Sequence, residues 1–120
     1  MADEQTRDPG ELARAAVEIA SERQASDTVM LDIRALTTFA DYFVITSALN
    51  ARHMQALIEE LEQGMKGAGA SLHHREGSAD SGWVLLDFED VIVHLFLPAE
   101  RERYGLEQLW QGAPAVVRVQ

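Results

Sequence analysis

The sequence predicts an α+β domain built on a single mixed β-sheet of about five strands with helices. The hydrophobic pattern runs in the order helix, strand, strand, helix, short strand, strand, strand, helix. The stretch 83–96, WVLLDFEDVIVHLF, is typical of a β-hairpin, but it is too apolar for a sheet with one face in water. A chain of 120 residues, of which 47% are hydrophobic, is the size of one domain with a substantial core.

The first part of the chain is predicted to contain one helix and two strands. Residues 1–10 are polar and are expected to form a flexible lead-in. An apolar stripe from 11 to about 24 predicts an amphipathic helix. Alternation over 28–34 and the apolar run 42–48 predict the first two strands.

A second helix and three further strands are predicted next. Asn50 can cap this helix through its side-chain oxygen, and the glycines within 64–69 should end it, because glycine is costly inside a helix. Residues 72–76 are expected to form a short strand. A loop then leads into the hairpin strands 83–88 and 91–97, which are joined by a two-residue turn.

The two faces of this hairpin differ in chemistry. One face carries only apolar side chains and is the ordinary core face: Val84, Leu86, Phe88, Val91, Val93 and Leu95. The other face mixes aromatic, aliphatic and polar groups, with Trp83 opposite Phe96, Leu85 opposite His94 and Asp87 opposite Ile92. Such a mixture suits a site or an interface, and the alternative is that a helix of the same chain covers it.

The C-terminal part is predicted to be helical and then irregular. Pro98 should start a helical segment that Gly105 divides into two turns. Long polar side chains mix there with aromatic ones, as is typical of interface anchors. The alternative is that Tyr104, Leu109 and Trp110 dock this segment on the sheet, and for Leu109 this alternative is favoured. Residues 113–120 show no periodicity and are expected to form a tail, which leaves 11–112 as the domain.

Charge and composition exclude several classes of function. Twenty acidic and ten basic side chains give a net charge of −10, which opposes the contact with phosphates that nucleic-acid binding needs. A basic protein is a natural partner for this surface, although solubility alone also explains the charge. Without cysteine, disulfides and thiolate-bound metals are excluded. The sequence has no signal peptide and no apolar run of roughly 20 residues, which predicts a cytoplasmic protein without membrane contact.

No catalytic, metal or cofactor site is predicted. The four histidines fit no metal-binding spacing, and the loop at 77–82 lacks the lysine and the spacing of a phosphate loop. Asp87 is diagonal to His94 in the predicted hairpin, within reach of a carboxylate–imidazole hydrogen bond. Because no nucleophile accompanies this pair, mutual hydrogen bonding is its favoured role. Arg52 and His53 lie at the positive end of a helix, which suggests that they are kept for a contact elsewhere.

Four motifs together resemble the ribosomal silencing factor family, RsfS, also called the Iojap family. They are ADYFVITSALNARHMQAL, REG, GWVLLDFEDVIVHLF and RERYGLEQLW, and the resemblance runs from about Ala25 to Trp110. The resemblance implies a translational repressor that docks on the large ribosomal subunit, on ribosomal protein fourteen. There it would block joining of the small subunit sterically.

The resemblance also implies a nucleotidyltransferase-like fold, which suggests an alternative function in phosphoryl or nucleotidyl transfer. Such an enzyme needs clustered strand carboxylates that hold magnesium. The segment SALNARH after the second strand contains none. The chain is therefore expected not to be an enzyme.

The resemblance assigns residues to the partner surface. Trp83 would supply an apolar anchor and Tyr104 an aromatic ring with a polar tip, while Asp90 and Glu107 would meet basic groups of the ribosomal protein. An uncovered apolar surface also offers an interface for a homodimer of the free protein. The expected partner-binding residues are Trp83, Asp87, Asp90, His94, Phe96, Arg101, Tyr104 and Glu107, and further candidates are Asp41, Tyr42, Arg52 and His53.

Overall fold

A computed structural model describes residues 8–120 of the chain. Within them, helices and strands follow in the order α1 (Pro9–Glu22), β1 (Ser26–Asp32), β2 (Tyr42–Ser47), α2 (Ala51–Gly67), β3 (His74–Glu76), a 3₁₀ turn (Ala79–Ser81), β4 (Trp83–Asp87), β5 (Val91–Phe96), α3 (Pro98–Tyr104), α4 (Leu106–Leu109) and β6 (Ala115–Val119). The strands of these residues form one sheet of six, in the order β3-β4-β5-β2-β1-β6. Strands β2 and β5 are parallel, and the other neighbouring pairs are antiparallel. The predicted mixed α+β class is confirmed.

The two long helices begin and end for local reasons. The Asp8 side chain accepts a hydrogen bond from the backbone N–H of Gly10 at 3.0 Å, and Asn50 Oδ1 accepts one from the N–H of His53 at 2.8 Å, so the predicted Asn50 cap is confirmed. Helix α2 continues through Gly64 to Gly67, and the missing side chain of Gly64 lets α1 approach closely. A Cβ atom at Gly64 would lie 2.5 Å from Cδ1 of Ile19. The flexible lead-in predicted for residues 1–10 lies mostly outside the described residues, and α1 already begins at Pro9.

The C-terminal tail is the element that the sequence analysis got wrong. Residues Ala115–Val119 form β6, which pairs antiparallel with β1 at the edge of the sheet. Pairing is anchored where the N–H of Asp32 donates to the carbonyl oxygen of Pro114 at 3.0 Å. Side chains of β6 are mostly exposed, so this edge strand depends on backbone hydrogen bonds and shows little hydrophobic alternation.

The two faces of the sheet are covered differently. Helices α1 and α2 cover one face, over core residues that include Val44, Val84, Leu86, Val93 and Leu95. The opposite face is covered by Leu106, Trp110 and Ala113 from the C-terminal segment, over Val29, Leu31, Phe43, Ile45, Ile92 and Phe96. The alternative prediction, that another segment of the same chain covers this face, is therefore confirmed over these residues. On β4, however, Trp83, Leu85 and Asp87 stay only partly buried, and together with Glu76 of β3 we call them the open half.

Candidate partner-binding surface

The open half is organised by the register of β3, β4 and β5. Trp83 lies opposite Phe96, Leu85 opposite His94 and Asp87 opposite Ile92, as predicted for the hairpin. On the outer side, Glu76 of β3 lies opposite Leu85. Because cross-strand partners point to the same face, these side chains form one continuous surface at the edge of the sheet.

Trp83 is held in place by three neighbouring rings. Its indole stacks on Phe96, with ring centroids 5.0 Å apart and an interplanar angle of 25°. Tyr104 of α3 packs against it with a centroid distance of 4.6 Å, and its own side chain remains 45% exposed. The indole Nε1–H donates to Nδ1 of His94 at 3.2 Å. The anchor is thus fixed in one orientation and still partly accessible.

His94 and Phe96 support this anchor from below. Phe96 is fully buried and His94 is 3% exposed, so neither can be a direct contact of a partner, contrary to expectation. Burial lowers the pKa of His94 to about 4, so the ring is neutral near pH 7. Because Nδ1 accepts from Trp83, the proton resides on Nε2, which has no hydrogen-bond partner among the described residues.

Asp87 does not bond to His94, and the predicted pair is wrong. Its Oδ1 instead accepts a hydrogen bond from the backbone N–H of Glu89 at 2.7 Å. Glu89 has a φ of 83°, so the carboxylate stabilises a turn residue in the left-handed region. The other side of Asp87 remains partly exposed at the end of the open half.

Arg101 is a buried clamp and not a surface contact, which corrects its assignment to partner binding. Its guanidinium donates to Oγ of Ser47 at 2.9 Å and to the carbonyl oxygen of Asp27 at 2.7 Å. It also binds both carboxylate oxygens of Glu107, at 2.8 and 3.1 Å. This hydrogen-bonded guanidinium lowers the pKa of Glu107. The clamp fixes α3 and α4 on either side of Gly105, whose φ is 58°, and so sets the position of Tyr104.

Three further predicted residues meet at the hairpin turn. The backbone N–H groups of Asp41 and Tyr42 donate to the carbonyl oxygen of Asp90, at 2.8 and 3.1 Å. The Asp90 side chain is exposed and that of Asp41 is half-buried, whereas Tyr42 is only 8% exposed and faces the helices. Tyr42 is therefore a core residue, and its assignment as a contact is corrected.

Arg52 and His53 belong to the first turn of α2, the helix that covers the opposite face. Arg52 is exposed. His53 joins two loops: Nδ1 accepts from the N–H of Leu49 at 2.9 Å, and Nε2 lies 2.7 Å from the carbonyl oxygen of Arg23. These hydrogen bonds give His53 a structural role within the fold that requires no partner.

Glu76 was missed in the sequence, and Leu85 was placed on the mixed face but not assigned to partner binding. Both residues complete the open half. Leu109, which was expected to dock on the sheet, is 77% exposed. Trp110 docks instead, with its ring 4.9 Å from Phe43 and 5.9 Å from Phe39.

Within residues 8–120 no group of three metal-binding side chains is suitably placed for an ion. Over the same range, none of the helices combines the length and apolar character that crossing a bilayer requires.

Similarity to known proteins shows the family of the chain. A sequence model described as "Ribosomal silencing factor during starvation" matches residues 6–120. The chain belongs to the ribosomal silencing factor family. The match extends beyond the resemblance at Ala25–Trp110 and includes β6.

Individual relatives support the same family. The ribosomal silencing factor RsfS of Halalkalibacterium halodurans is 35% identical over 106 residues, which cover 88% of this chain and 91% of that protein. A crystal structure of a Chromobacterium violaceum protein superimposes with a TM-score of 0.83 at 30% identity, covering 88% of each chain. A mouse protein named "Mitochondrial assembly of ribosomal large subunit protein 1" is 30% identical over 78% of this chain and 42% of its own length. The chain is thus similar to proteins that are named for silencing or assembling ribosomes.

Membership in this family gives the chain a role in silencing ribosomes and an association with the ribosome. The family name describes a regulatory factor and not a catalyst.

Proposed function

We propose that the chain docks on the large ribosomal subunit through ribosomal protein fourteen and prevents the small subunit from joining. The observation that carries this proposal is the open half, where Trp83 is partly accessible and yet held by Phe96, Tyr104 and His94. Tryptophan and tyrosine side chains in such positions are typical anchors of protein interfaces. An anchor that is already ordered loses little conformational entropy on binding.

The charge of the chain supports a basic partner. The net charge is −10, and the exposed carboxylate of Asp90 lies at the turn of the same hairpin that carries Trp83. Opposite charge accelerates encounter more than it slows dissociation. We therefore expect the association rate to fall as salt is raised, with a smaller effect on the dissociation rate.

The proposed mechanism is steric. A domain bound at the joining face occupies volume that the small subunit needs, so inhibition requires neither nucleotide nor turnover. The mouse relative is named for the large ribosomal subunit, which supports the choice of this subunit for the present chain.

The open half also offers a surface to a second copy of the chain. In the proposed scheme the free protein forms a homodimer through it, and this dimer competes with the ribosomal complex. Sedimentation tests this point separately: a monomer up to high micromolar concentration would remove the dimer and leave the ribosomal proposal intact.

A sucrose gradient tests the proposal itself. Added protein should migrate with isolated large subunits and shift assembled ribosomes toward free subunits, with and without nucleotide. Migration with the small subunit, or with neither subunit while the protein is folded, would contradict it.

A further inference from the structure

A cleft of about 210 Å³ lies beside Trp83 at the outer edge of the open half, lined by Glu76, Gly77, Trp83 and Leu85. Gly77 lines it with backbone alone: its φ is +86°, and a Cβ atom there would lie 2.2 Å from the carbonyl oxygen of Trp83. Any side chain at this position would therefore force the β3–β4 connection to shift.

The lining has two kinds of chemistry. The indole of Trp83 and the side chain of Leu85 form apolar walls, and Glu76 places a carboxylate at the rim with 66% of its side chain exposed. Its present partner is His74, with Nε2 and Oε2 2.8 Å apart. Both side chains of this pair are largely exposed, so the pair contributes little to stability. Glu76 can therefore exchange His74 for another cationic partner.

The neighbouring cation of β3 is directed away from the cleft. Arg75 lies opposite Leu86, on the helix-covered face, and donates to Oε2 of Glu62 of α2 at 3.1 Å. The cleft carboxylate is therefore available to a cation from outside.

We propose that this cleft binds an arginine side chain of the partner, which packs its stem on Leu85 and its guanidinium between the Trp83 indole and the Glu76 carboxylate. A planar guanidinium can stack on an indole and also donate two hydrogen bonds to a carboxylate. A lysine ammonium is more strongly hydrated and cannot make the bidentate contact. The inference rests on the proposed function, because the arginine belongs to the ribosomal partner.

The bonds of Trp83 make this subsite rigid. One face of the indole is occupied by Phe96, and its N–H is engaged by His94. The orientation of the indole wall is thus set before the partner arrives, which favours a single side-chain geometry over a general cationic attraction.

The test is the affinity of the full chain for purified large subunits. We expect Glu76→Gln to weaken binding about tenfold and Glu76→Lys to weaken it about a hundredfold, on the scale of charge pairs at protein interfaces. Glu18→Lys, at an exposed position of α1, makes the same change in net charge away from the cleft and should alter affinity less than about threefold. Thermal melting of each variant checks that it is folded.

Competition with small molecules identifies the side chain. Arginine amide should inhibit binding to the large subunit more strongly than lysine amide at equal concentration and ionic strength. Equal inhibition by the two amides would overturn the choice of arginine.

The two proposals fail in different ways. If Trp83→Ala loses binding while Glu76→Lys binds as tightly as Glu18→Lys, the subsite is wrong and the docking surface stands. If folded Trp83→Ala binds like the wild type, the docking surface itself is wrong.

Discussion

Strand β4 presents successive side chains to two very different environments. Val84 and Leu86 are fully buried beneath α1 and α2, whereas Trp83 and Leu85 point to the open half and are only partly buried. The sequence of the strand is apolar on both sides, so hydrophobicity alone does not distinguish them. The difference lies in what the rest of the chain can cover: two long helices on one face, and a short C-terminal segment on the other. Burial on the first face stabilises the fold, and incomplete burial on the second leaves an accessible surface, which we propose as the partner-binding surface.

The largest expected difference is in the free energy of unfolding when either of two adjacent leucines is truncated. Leu86→Ala should lower the free energy of unfolding by about 2–5 kcal/mol, since it leaves a cavity in a closed core. Leu85→Ala should cost about 1 kcal/mol or less, because the site is already partly open. Urea unfolding measures both values. Equal losses would show that the two faces do not differ in the way described.

The two leucine substitutions should affect ribosome binding in the opposite order to their effects on stability. Per folded molecule, Leu85→Ala should weaken attachment to the large subunit more than Leu86→Ala does. Stronger loss from Leu86→Ala would place the contact surface on the helix-covered face.

Acid should destabilise the support beneath the open half. The pKa of His94 is about 4 in the folded chain, against 6.5 when exposed, so the unfolded state binds the proton more readily. Stability should therefore fall as the pH drops from 6.5 to 4, by roughly 3 kcal/mol from this group, and it should not fall further from this group below pH 4.

His94→Gln isolates that contribution. Glutamine does not titrate and its side-chain oxygen can still accept the Trp83 N–H. Glu107 and Asp32, whose pKa values are also lowered in the fold, titrate in both proteins and cancel in the comparison. An unchanged dependence of unfolding free energy on pH in the variant would show that His94 is not the group responsible.

A smaller effect is expected from the Arg101 clamp. Arg101→Met should cost about 1–3 kcal/mol, since it leaves the Ser47 hydroxyl and the Asp27 carbonyl without their donor. It should also weaken ribosome binding through displacement of Tyr104. Arg14→Met, at an exposed position of α1, is the matched control and should change neither stability nor binding. Normal binding by folded Arg101→Met would mean that the clamp does not position the surface.

The sequence predicted local pairing better than long-range contacts. The hairpin register and the Asn50 cap follow from neighbouring residues, and both are confirmed. The cover over Phe43 and Phe96 depends on Trp110, which is distant in sequence, so the sequence offered it only as an alternative. Strand β6 depends on backbone pairing with β1, and periodicity gave no sign of it.

The candidate site was predicted in part for the same reason. Alternation identified the face that carries Trp83, His94 and Phe96, but it could not distinguish the exposed anchor from its buried supports. Arg101 has the composition of a surface contact, and its burial depends on Asp27 and Ser47, which are far away in the chain.

The central claim is tested most directly by measuring subunit joining in the presence of the Trp83→Ala variant. The matched control is Trp110→Ala, which truncates a tryptophan that packs over Phe43 outside the open half. Light scattering of mixed large and small subunits measures joining. At equal folded concentration, wild type and Trp110→Ala should prevent joining, whereas Trp83→Ala should require roughly thirtyfold more protein, as the loss of a 2 kcal/mol anchor predicts. If folded Trp83→Ala inhibits joining as well as the wild type, the open half is not the surface that silences the ribosome.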